Sequence, residues 1–211
     1  TGFDDLKNRA AEAKGKIVLF NVPFTEYRET VIVRTQGAIH AARAGAVASL
    51  IRSVGPFSMQ TPHTGGMSYA DGVRKIPHAA LSLEDANMLS RMQARGEPLR
   101  VRLKMEARTL ADGISRNVVA EIPGTEKPEE IVIVSGHIDS WDVGQGAMDD
   151  GGGCLAAWEA ARLMLKLGLR PRRTVRVVLW TNEENGLRGA TSYAKRHEAA
   201  LAKHTLAIES D

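Results

Sequence analysis

The chain has 211 residues, 43% of them hydrophobic and 25% charged, enough for one large core or two modest ones. Its formal net charge of +3, from 28 Lys and Arg against 25 Asp and Glu, is too small and too scattered to argue for nucleic acid or a membrane surface as partner. The single cysteine, Cys154, excludes an internal disulfide, and no apolar stretch approaches the roughly 20 residues of a membrane span.

In chain order, "FDDLKNRAAEAK" (residues 3–14) has helical spacing with Gly15 placed as its cap, and "KIVLF" predicts a short buried strand. "TQGAIHAARAGAVASLIRS" predicts a helix running to Ala44, a break at Gly45 and a strand over "AVASLI". A long Gly/Pro/Ser/Thr loop follows, and its stretch from Gly55 to Gly72 is expected to act as a cover for a site elsewhere. "IPHAALS" predicts a strand, Ser82 with Asp85 a capping box opening the helix "LEDANMLSRMQAR", and "PLRVRLKMEA" alternates as a half-exposed strand. From "RNVVAEIPG" onward the character changes. "EIVIVSG", "TVRVVLWT" and "TLAIES" predict buried strands, separated by the apolar helix "GCLAAWEAARLMLKLG" and the amphipathic helix "LRGATSYAKRHEAALAKH". The fold class is therefore α/β, with a mainly parallel sheet in the second part. Thr1 at the start and Asp211 just past "TLAI" read as cut ends of a longer chain.

Ligands of such sheets sit beyond the carboxyl ends of the strands, and all three predicted strand ends carry acid. The first offers His137 and Asp139, the second Glu183 and Glu184, the third Glu209 and Asp211. With Asp149 from "MDDGGG", the residues His137, Asp149, Glu184 and Asp211 are expected to converge. Unneutralised carboxylates that close repel, so the arrangement asks for cations. A nitrogen with several carboxylates and no thiolate suits zinc, and a carboxylate can bridge two ions about 3.5–4 Å apart. Asp139 is expected to accept the remaining ring N–H of His137. Adjacent glutamates at a strand end should point to opposite sides, so that one of Glu183 and Glu184 binds metal while the other acts as general base. Spacing alone leaves open which does which.

"SGHIDSWDVGQGAMDDGGG", "LGLRPRRTVRVVLWTNEENG" and "IESD" resemble the zinc aminopeptidase and glutamate carboxypeptidase superfamily. "GKIVLFNVPF", "RTQGAIHAARAGAVASLIRSV" and "PHTGGMSYADGVRKIPHAALSLEDANMLSRM" resemble the protease-associated domain inserted into that fold. The resemblance implies a protease-associated domain over residues 1–108 and the incomplete N-terminal part of a zinc peptidase domain over 109–211. It makes His137 a terminal ligand of one zinc together with Asp211, Asp149 the bridge, Glu184 a ligand of the second zinc and Glu183 the base. It also implies a cis Asp149–Asp150 peptide and a further histidine ligand downstream of this chain. The implied reaction is exopeptidase hydrolysis, of carboxypeptidase, aminopeptidase or dipeptidase type, on dipeptides or short peptides with a free amino terminus. Glu183 takes a proton from a metal-bridging water and returns it to the leaving amine. A secreted, periplasmic or lysosomal location comes with the resemblance. The alternative is a receptor-like relative that keeps the fold without the chemistry, and the first unit is a candidate peptide-binding or dimer-forming module.

The other histidines, His40, His63, His78, His197 and His204, read as structural. No G-x-S-x-G occurs, so Ser135 is incidental to catalysis. Cys154 reads as a small packed residue, and Trp158 and Trp180 are expected to pack.

Overall fold

The computed structural model describes residues 2–63, 65–142 and 144–211; Thr64, inside the proposed covering loop, and Val143 lie outside the described residues. Internal contacts divide the chain into residues 1–109 and 110–211.

In the first unit α1 (Phe3–Asn8), α2 (Ala10–Ala13), β1 (Ile17–Phe20), α3 (Tyr27–Thr30), α4 (Ile32–Arg43), β2 (Ala48–Arg52), β3 (His78–Leu81) and α5 (Leu83–Ala94) follow one another. The strands form a parallel sheet in the order β1-β2-β3. Its core gathers Phe20, Leu50, Ile51, Val54 and Ile76, each 1% exposed or less. The expected first helix is broken at Arg9, whose φ of −116° and ψ of 26° are not helical. α4 stops at Arg43, and Gly45 has a φ of +80°, as its sequence position demands. The Ser82 hydroxyl caps α5 by accepting the Asp85 amide N–H at 3.1 Å. His78 is structural: it is 8% exposed, with Nδ1 2.7 Å from Ser49 Oγ and Nε2 3.0 Å from the Arg34 carbonyl. The strand expected over "PLRVRLKMEA" does not form. Alternation makes a strand only where another strand supplies its ladder, and no described strand lies beside this segment.

The second unit contains β4 (Val118–Ile122), β5 (Lys127–His137), α6 (Gly151–Lys166), β6 (Arg173–Trp180), α7 (Arg188–Arg196), a 3₁₀ turn (Glu198–Lys203) and β7 (His204–Glu209). The sheet order is β4-β6-β5-β7, with β4 antiparallel to β6 and the remaining pairs parallel. The long amphipathic helix of the sequence is split, α7 giving way to the 3₁₀ turn after His197. β5 and β6 are buried at Ile133, Val177 and Val178, as their continuous apolar runs predict. β7 is not buried: as the outer strand of the sheet it leaves Leu206 and Ile208 about half exposed. Trp180 is packed at 7% exposure, whereas Trp158 on α6 is 53% exposed, contrary to expectation. α6 covers one part of the sheet, and Trp158 lies on the rim of an apolar groove with Ala120, Ile122, Leu165 and Val175. Among the described residues no helix is long and apolar enough to cross a membrane.

Phe20 has no exposed surface and packs edge-on against Phe3, with ring centroids 5.4 Å apart. Phe20→Ala is expected to destabilise the first unit by about 3–5 kcal/mol, read as a lower urea midpoint in tyrosine fluorescence or circular dichroism.

Candidate metal centre

The register of the parallel strands places the site. His137 pairs with Trp180 at the end of β6, and Ser135 pairs with Glu209 at the end of β7, so Asp211 follows at about the level of His137. Ser135 itself is buried and satisfied: its hydroxyl donates to the Ile208 carbonyl at 3.0 Å and accepts the Trp180 indole N–H at 2.9 Å. It ties three strands together rather than acting as a nucleophile.

At this edge His137 is 1% exposed and carboxylates surround its ring. Nε2 lies 3.2 Å from Asp149 Oδ1, 3.8 Å from Asp211 Oδ1 and 3.9 Å from Glu183 Oε2. His137, Asp149 and Asp211 each bring one donor atom within 4.8 Å of the others, close enough for the three to share one ion. Asp149 and Asp211 remain open to solvent on the side away from the ring. Glu184 stands next to this group. Its Oε1 is buried with no hydrogen-bond partner among the described residues, and the Asp149 charge acts on it. A buried, unpaired carboxylate oxygen beside a second carboxylate asks for a cation. Among the described residues no lysine or arginine pairs with Asp139, Asp149, Glu183, Glu184 or Asp211.

Two expectations are corrected here. His137 Nδ1 is 2.9 Å from the backbone carbonyl of Asp139 and 3.6 Å from its carboxylate, so the carbonyl receives the ring N–H and leaves Nε2 as the free donor. The Asp139 carboxylate instead accepts the amide N–H of Glu183 at 2.9 Å and of Glu184 at 3.2 Å. The two glutamates also do not alternate as strand residues. β6 ends at Trp180, Asn182 has a φ of +54°, and Glu183 and Glu184 sit in the turn that follows, both held by Asp139. The strand expected over "TVRVVLWT" ends one residue past β6, and both glutamates lie beyond it, in the turn and not on the pleat. The sequence assigns no role to Asp150, which is buried beneath the site, and Glu209, one of the acids at the third strand end, adds negative charge to it.

Loss of water pushes the carboxyl groups of Glu183 and Glu184 above the usual range, and acidic neighbours add to the rise. For His137, burial opposes the charged ring, but the Asp139 carbonyl and the charges of Glu183, Asp150 and Asp139 outweigh it and raise the pKa. Burial, with the Asp150, Glu209 and Asp139 charges, pushes the Cys154 thiol up to about 11, so it stays protonated although it opens a helix.

Residues 117–211 match peptidase family M28 and residues 2–89 match the PA domain. The chain is 56% identical to carboxypeptidase Q of Mus musculus over 209 residues, which cover 99% of this chain and 44% of the mouse protein. It superposes with a TM-score of 0.86 on the crystal structure of a peptidase M28 precursor from Shewanella amazonensis, at 38% identity and covering 99% of this chain and 49% of the other. A zinc aminopeptidase from Bacillus subtilis shares the fold at a TM-score of 0.57 and 22% identity, over 94% of this chain and 44% of the other. The chain belongs to peptidase family M28, with a PA domain preceding its peptidase region. It spans a little under half the length of the carboxypeptidase Q relatives it matches.

Acids whose pKa is raised in the folded state hold their protons more tightly there than in the unfolded chain, and so does a histidine with a raised pKa. Each such group stabilises the fold below its unfolded pKa and loses that contribution as pH rises through the folded value. Without divalent cations, the second unit is therefore expected to lose stability from pH 4.5, the ordinary glutamate value, to above 6.5, the ordinary histidine value. Excess zinc is expected to reverse the loss, and most strongly at the upper end. Tryptophan fluorescence isolates this unit, because Trp141, Trp158 and Trp180 all lie within it. A melting midpoint flat across this range, with and without zinc, would contradict the charge crowding.

Proposed function

We propose that this segment carries the main part of a zinc exopeptidase centre acting on dipeptides or short peptides with a free amino terminus. The observation that carries the reading is one buried imidazole facing Asp149, Asp211 and Glu183 with no lysine or arginine paired to them among the described residues. Membership of family M28 and the likeness to carboxypeptidase Q support it. The zinc named for the Bacillus subtilis structure agrees with the donor set.

In this reading His137 and Asp211 would hold one ion and Glu184 a second, with Asp149 as the residue that both would share. The resemblance to the family supports a further histidine, downstream of these residues, as the remaining ligand of the second position. Bound zinc would supply Lewis acidity, making water more acidic and polarising the scissile carbonyl. Glu183 serves as the base: its carboxyl sits in the cluster, and its raised pKa suits a group that takes up a proton and gives it back near neutrality. It takes the proton of the attacking water and delivers it to the departing amine. Asp139 holds the amides of Glu183 and Glu184 together, which sets both carboxylates relative to the site. We further propose residence outside the cytosol and a homodimer, both on the resemblance to the family.

Glu183→Gln keeps the size and removes the base. In the full-length peptidase it is expected to retain zinc, measured by elemental analysis, while kcat falls by about 10²–10⁴-fold. Retained turnover in a zinc-loaded Glu183→Gln protein would remove Glu183 from that role.

A further inference from the structure

Asp150 follows the proposed bridging residue and differs from it in every physical respect. Asp149 is two-thirds exposed, whereas Asp150 is 1% exposed. A carboxylate that deep is costly unless its oxygens are hydrogen-bonded, and both are. Oδ1 accepts the Gly153 amide N–H at 2.8 Å, which caps α6. Oδ2 accepts the amide N–H of His137 at 2.7 Å, thirteen residues away at the end of β5. Capping needs only the first of these bonds, and a serine would supply it. The second is a charge-assisted bond, stronger than one between neutral groups, directed at the backbone of the central histidine.

The same helical turn holds the other side of that residue. Cys154 Sγ donates to the His137 carbonyl at 3.1 Å, and its own amide N–H donates to the Asp150 carbonyl at 3.0 Å. No space remains at this junction. A Cβ on Gly136 would lie 2.5 Å from the Cys154 nitrogen and 2.6 Å from Asp150 Oδ2; one on Gly153 would lie 1.9 Å from the Ser210 carbonyl oxygen. Two glycines thus let the start of α6 close on the ends of β5 and β7, and Asp150 fills the point of closest approach. With both peptide groups of His137 fixed and its Nδ1 on the Asp139 carbonyl, the direction of Nε2 has little freedom left.

We propose that Asp150 is a positioning residue: through the His137 amide it fixes the direction in which Nε2 meets Asp149 and Asp211, and so sets the affinity of the site for a divalent metal. This rests on the metallopeptidase reading. Asp150→Ser separates the two bonds, since serine can cap Gly153 but is too short to reach His137. In the metal-free chain, hydrogen exchange followed by NMR should show the His137 amide exchanging at least about tenfold faster, with Gly153 still protected. Affinity for zinc, by chelator competition, should fall about 10–100-fold, and the visible spectrum of bound cobalt should change. Unchanged exchange at His137 together with unchanged metal affinity would reduce Asp150 to a helix cap and overturn the inference. If the unsubstituted chain binds no metal, the metallopeptidase reading fails by itself, while the His137 exchange still decides the positioning. Should Asp150→Ser not fold, Asp150→Asn, which offers one acceptor oxygen instead of two, carries the same readouts.

Discussion

Carboxylates crowded around a buried ring repel one another, and the carboxyl edge of the second sheet is organised around that repulsion. The sheet brings acids from three chain segments to one place without supplying a protein cation among the described residues. Raised proton affinities at Glu183, Glu184 and His137 are the metal-free answer to this crowding. A divalent ion is the other answer, and protons and metal then compete for the same charge.

What makes the crowding tolerable is that the backbone, not the side chains, bears the cost of assembly. Parallel pairing of β5 with β6 and β7 delivers His137, the turn with Glu183 and Glu184, and Asp211 to a common level. Ser135 locks the three strands one layer beneath, and Asp139 gathers the two glutamate amides one layer above. Each of these acids thus stands on a segment already fixed by hydrogen bonds, so little of its own freedom would be lost if an ion bound.

The α/β class, the mainly parallel second sheet and the convergence of His137, Asp149 and Asp211 were legible in the sequence. Continuous apolar runs ending in acids specify buried parallel strands and where their ends fall. Less legible was anything that depends on where a strand stops or what lies beside it. "TLAIES" is as apolar as a central strand, yet within these 211 residues β7 pairs with β5 alone, and apolarity reports the surface that must be covered and not the element that covers it. "PLRVRLKMEA" alternates but has no strand to pair with. The Asp139 carboxylate bonds the Glu183 and Glu184 amides in place of the His137 ring, whose Nδ1 is taken by the Asp139 backbone carbonyl. The burial of Asp150 was invisible for a similar reason: two adjacent aspartates look alike until one caps α6 beneath the strand ends and the other stays exposed.

The bond from Asp150 to His137 closes a ring around residues 138–149. Both ends of that segment are anchored to the same junction, and within it the Gly146 carbonyl accepts the Gly151 amide N–H at 2.7 Å while the Trp141 side chain hydrogen-bonds Glu184. Extending a closed loop costs only slowly increasing entropy, about 0.6 kcal/mol per doubling of length. Changes of length in this stretch therefore cost the fold little, whereas changes at Trp141 or Gly146 reach Glu184 and the start of α6 directly.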